Sequence, residues 1–160
     1  MSIYSTLDRP EADRSVLSAG LLIGLAGGSV EILVVWLYSA LTGGDAAMVA
    51  RHVASAVGLD GASAVAGLAV HMGLAVALGI VLSAMVQSLA ALSDRAIWSF
   101  MTGSLAAVWA INFFIVLPVV SPGFVHLLPY SITLASKLAF GSVGAAVLQL
   151  LRPVHVGTRR

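Results

Sequence analysis

The sequence predicts an all-α integral membrane protein, a four-transmembrane-helix bundle with a short amphipathic helix on the outer surface between helices 1 and 2. Three observations predict it. Of 160 residues, 59% are hydrophobic and 9% charged, with a mean hydropathy of +1.03, whereas about a quarter of a soluble domain is charged. Four apolar runs, 16–41, 62–89, 97–119 and 127–151, each reach the roughly 20 residues that cross a bilayer. Within these runs Gly and Ala recur every four residues, a spacing that lets helices approach closely in lipid.

Residues 1–15 read as a polar cytoplasmic arm, 16–151 as the four-helix transmembrane domain, and 152–160 as a cytoplasmic tail. The first run is about twice the length of a signal-peptide core and is preceded by acids as well as arginines, so it is expected to be retained. Arg9, Arg14, Arg95, Arg152, Arg159 and Arg160 would lie on one side of the membrane and Arg51 on the other. That bias puts both termini in the cytoplasm. Lys137 is the only lysine beside abundant Arg, Ala, Gly and Val, a composition that suggests a GC-rich bacterial genome and hence a bacterial inner membrane.

The first helix, with Ser15 placed to cap it, carries Gly20, Gly24 and Gly28 in one stripe that Glu31 continues. It is expected to end near Gly43. Residues 45–57, with Asp45 as cap, set Val49, Val53, Ala56 and Val57 against Arg51 and Ser55, the pattern of an interfacial amphipathic helix. The second span places Gly67, His71, Ala75 and Gly79 on one face. Ser93 and Asp94 open the third, which carries Trp109 and Asn112 and is expected to close at Pro118. Residues 121–130, SPGFVHLLPY, hold no formal charge and are expected to be partly embedded. Pro129 suits the start of the fourth span, in which Thr133, Lys137, Gly141 and Ala145 share a face.

Counted along their helices, Glu31, His71, Asn112 and Lys137 all lie about 9–15 Å below the outer surface. Glu31 and Lys137 are each the only charge of their sign within the apolar runs. An unpaired charge in hydrocarbon is costly, so these two are expected to form an ion pair, with His71 and Asn112 completing a buried polar cluster. A faint repeat, Leu68 to His71 against Leu134 to Lys137, sets a basic group at the same point of the second and fourth spans. A haem or copper site would draw on His71 with His126 or His52, and for copper on Met48 or Met72. No cofactor is expected, because no second histidine lies inside a span at the depth of His71.

The chain has no Cys, which excludes disulfides, thiolate metal sites and a cysteine nucleophile. It has no phosphate-cradling glycine loop followed by Lys-Ser/Thr, no catalytic triad and no basic patch for nucleic acid. An enzyme is therefore not expected. Gly20, Gly24, Gly28, Gly67, Gly79 and Gly141 are expected at helix contacts. Further small-residue stripes, Ala69, Gly73 and Ala77 on the second span and Gly103, Ala107 and Ala110 on the third, exceed what one bundle needs. The favoured expectation is an accessory or binding subunit of a larger integral-membrane complex, with electron transport as the setting. A proton- or ion-linked channel or transporter using the cluster is the alternative, and a haem- or metal-binding bundle is the third.

Overall fold

A computed structural model describes residues 9–89 and 92–151. The described residues are helical almost throughout and contain no strand. The elements are α1 (Arg9–Thr42), α2 (Ala46–Ser55), α3 (Ala64–Ser88), α4 (Asp94–Ile111), a π-helical turn (Asn112–Val116), α5 (Leu117–Val120), a 3-10 turn (Pro122–His126) and α6 (Tyr130–Leu151). Four of the helical segments, Ser15–Thr42, Ala64–Ser88, Asp94–Val120 and Tyr130–Leu151, are long and apolar enough to cross a membrane. Most of the N-terminal arm and all of the tail lie outside the described residues.

Local chemistry sets the boundaries. Asp45 caps α2 by accepting the Ala47 N–H at 2.8 Å, and Ser63 and Ser93 cap α3 and α4 in the same way. Gly43, at φ +74°, adopts the left-handed conformation that stops α1. Two expectations are corrected here. Ser15 does not cap the first helix, because α1 already begins at Arg9; its hydroxyl instead donates to Gln87 Oε1 at 3.2 Å. Pro118 does not close the third span. A proline has no N–H to donate and crowds the preceding turn, and the chain absorbs this by widening: the Leu117 N–H reaches Asn112 O, five residues back, and helix resumes through Val120.

The helices pack in the order α3, α1, α6, α4, with α1 and α6 central. Glycine sets how closely. Gly20 and Gly24 lie against the backbone of Ile80 and Val76, and Gly79 fits between Gly20 and Gly24, so any side chain there would overlap main chain. Gly27 receives the ring of Phe140 from α6, and Gly141 receives Met101 and Thr102 from α4. Gly28 faces Met72 and Ala75, and Gly67 lies against the Ala50 carbonyl of α2. The six glycines read as contact positions thus all lie against a neighbouring helix.

The end of the bundle that holds the start of α1 and the end of α6 is filled. Ile23, Leu82, Ile97, Met101, Leu105 and Phe140 are fully buried there, one or more from each spanning helix. Towards the opposite end the arrangement opens, since α3 and α4, although consecutive in sequence, do not pack along their lengths.

Candidate functional site

The gap between α3 and α4 is a cavity of about 650 Å³. Its back wall is α1 and α6, its sides are α3 and the end of the third span, and its roof is α2 with the 3-10 turn. Ala50 and Ala54 of α2 are buried against the bundle, so this amphipathic helix is a lid packed on α3 as well as an interfacial element. The loop around Phe124 also turns inward, with Val125 and Leu128 buried.

Polar groups collect deep in this cavity. Glu31 is 3% exposed. Its Oε1 lies 2.7 Å from Lys137 Nζ and its Oε2 lies 3.5 Å from His71 Nε2. The glycine ladder permits this: with no side chain at Gly28, one turn earlier, α3 comes close enough for His71 Nε2 to approach the Gly28 carbonyl at 3.4 Å. As a donor, Nε2 is shared between that carbonyl and the carboxylate, and both contacts are long. Beyond these two ionic contacts, neither carboxylate oxygen accepts a hydrogen bond among the described residues. Lys137 also sits 5.9 Å from the centroid of the Phe140 ring, a favourable cation–π placement.

Of the four residues read as a cluster, three meet directly. Asn112 faces the same cavity from the opposite side, at the first residue of the π turn, but makes no hydrogen bond to the other three among the described residues. The histidines proposed for haem or metal are dispersed in role. His52 is on α2 with Nδ1 at 3.0 Å from the Met48 carbonyl, and His126 is exposed at the end of the 3-10 turn. Among the described residues no three His, Asp or Glu side chains gather where one metal ion could be held.

Sequence reasoning did not single out Phe113 and Phe124 as cavity residues. Their rings stand 6.2 Å apart on its wall, and Phe113 is buried. Pro118, inside an otherwise apolar span, was the available signal, because a proline there demands a local rewinding that turns the preceding side chains. Trp109 braces the same wall by donating from Nε1 to Thr133 Oγ1 at 3.0 Å, while Thr133 donates to the Tyr130 carbonyl at 3.1 Å.

The fold and this cavity define a multi-pass α-helical membrane protein with a charged, buried floor beneath a largely apolar chamber. Comparisons with family models, curated proteins and solved structures found no match to the chain.

Proposed function

We propose that the chain is a non-catalytic binding subunit of a larger integral-membrane assembly in a bacterial inner membrane, with both termini cytoplasmic. The observation that carries the reading is the cavity itself: a buried carboxylate, held by ionic contacts alone, lies at the floor of a chamber large enough for a small molecule. Subunit status is supported by the helix faces beside it. A side chain built at Gly73 or Gly103 would meet nothing within 4 Å, and bare small-residue faces in lipid favour a neighbouring helix. Electron transport remains the proposed setting, on the ground that small multi-helix subunits occur there often.

Purification of the native protein in mild detergent, with mass spectrometry of what accompanies it, tests the proposal. Other transmembrane chains are expected, and Gly73→Leu, placed where an added Cβ meets open space, should reduce their recovery with the melting temperature of the isolated chain unchanged. A protein that migrates alone, and whose reconstituted vesicles show a proton flux abolished by Glu31→Gln, would establish the transporter alternative instead. The nearness of His71 to Glu31 favours that alternative, while the filled half of the bundle opposes it. Single cysteines at Ser2, Ser55, Ser93 and Thr158 address orientation: an impermeant thiol reagent applied outside should label position 55 alone.

A further inference from the structure

We infer that the cavity binds a lipid-soluble molecule with a compact, uncharged head that both donates and accepts hydrogen bonds, reaching it from the bilayer between α3 and α4. This rests on the binding part of the reading above and gives the ligand its chemical class.

Charge excludes most alternatives. Glu31 and Lys137 already neutralise each other at 2.7 Å, so a charged head would arrive as the odd charge in a poorly hydrated site, which is costly. Hydrogen-bonding capacity, by contrast, is in surplus. An ammonium has three N–H groups and Lys137, which commits one to Glu31, is partly exposed; both Glu31 oxygens are sealed behind it, so the open positions at the floor are the two remaining N–H donors of Lys137. Across the chamber the Asn112 amide offers a donor and an acceptor. A head with hydroxyl or carbonyl oxygens satisfies both sides at once, and buried polar groups without partners are costly to leave.

The body of the ligand follows from the walls. Apart from this floor, Asn112, and the Thr133 and Ser136 hydroxyls, which donate to carbonyls of their own helix, the lining is aliphatic and aromatic, so an alkyl or isoprenoid tail can lie in it. The direction of access follows from packing. The roof is closed by α2 and the 3-10 turn, and the closed half lies below, whereas Leu68 and Leu74 of α3 and Val116 of the third span line the chamber and are also exposed at its side. On a membrane-spanning helix that side meets hydrocarbon.

Two sources share this head chemistry: quinols and neutral glycerides. The purified chain in nonionic detergent would be offered four probes with ten-carbon chains: a decylbenzoquinol, monodecanoylglycerol, decanoate and decylammonium. Native mass spectrometry would read one-to-one adducts. At least one neutral probe is expected to bind, and to bind about tenfold or more tightly than either ion, a difference of roughly 1.4 kcal/mol; which neutral probe binds identifies the source. No adduct with either neutral probe, or tighter binding of an ion, overturns the inference. Asn112→Leu, which removes the amide without disturbing the ion pair, should weaken the neutral adduct about tenfold. Val108→Trp should block the chamber from the α4 side. Melting temperature checks that both variants fold, and wild-type binding by both would place the site elsewhere and overturn the proposal. Probe binding by an isolated chain that recruits no partner would refute only subunit status, whereas partners without probe binding would refute only the ligand class.

Discussion

The two halves of the bundle use the same four helices and the same small-residue spacing, yet one is sealed and the other hollow. In the sealed half each helix contributes a large apolar side chain to one cluster, with Ile23, Leu82, Met101, Leu105 and Phe140 removed from contact with surroundings. In the hollow half the glycine ladder still draws α3 onto α1, but what it brings together is Glu31 and His71. Phe140 is the partition. One side of it fills the space left at Gly27, and Lys137 lies over its ring at 5.9 Å. The difference teaches that close helix approach does not by itself make a core: the same backbone contact seals one level and concentrates polarity at another, according to the side chains carried.

That contrast breaks most sharply at the ion pair. Removing one partner leaves the other buried and uncompensated, at roughly 3–5 kcal/mol, whereas removing both can be nearly neutral. Glu31→Gln and Lys137→Met should therefore each depress the melting temperature strongly, and the double variant should recover much of the loss. Additive losses would mean that the two groups are stabilised separately and that the hollow half is not organised around their contact.

A slightly smaller effect separates the halves directly. Leu105 is fully buried in the sealed cluster, and Leu105→Ala is expected to cost roughly 2–5 kcal/mol as an unfilled cavity. Leu74 lines the hollow half and is 56% exposed, so Leu74→Ala should change stability by no more than about 0.5 kcal/mol. Equal losses, measured by thermal melting in the same detergent, would show that the chamber is packed shut in solution.

Much of this architecture was legible in the sequence, for physical reasons that also mark where legibility stopped. Span limits follow from apolar length, and the contact faces from glycine spacing, because lipid imposes the first and close packing the second. Depth alone set Glu31, His71 and Lys137 at one level. Helix order was not legible, since in lipid the outward face is as apolar as the inward one and the periodicity that orients a soluble helix is lost. The open side between α3 and α4 depends on that order, and so it was hidden too. Asn112 was placed at the right depth, but its position across the chamber depends on a π turn whose hydrogen bonds leave only Pro118 as a trace in the sequence.

The smallest expected effect concerns the roof, which must stay seated for the hollow half to remain a chamber. Asp45 caps α2, and its carboxyl is held below its ordinary value, chiefly by the backbone N–H of Met48 against an opposing effect of desolvation, and further by the Ala47 N–H and the Arg51 guanidinium at 3.0 Å. A carboxyl lowered in the folded state contributes stability that is fully present above its unfolded value and is lost as pH falls through its folded one. Protection of the α2 amides, taken relative to the intrinsic exchange rate at each pH, should therefore fall as the pH is lowered from about 5 to about 3, while in Asp45→Asn the same amides should show no comparable pH-dependent loss of protection. Since α2 meets α3 at Ala50 and Gly67, acid loosening of the cap should spread to the first turn of α3 and no further. Loosening that instead reached Leu82 or Leu105 would show that roof and sealed half unfold as one unit, and the division between them would not survive.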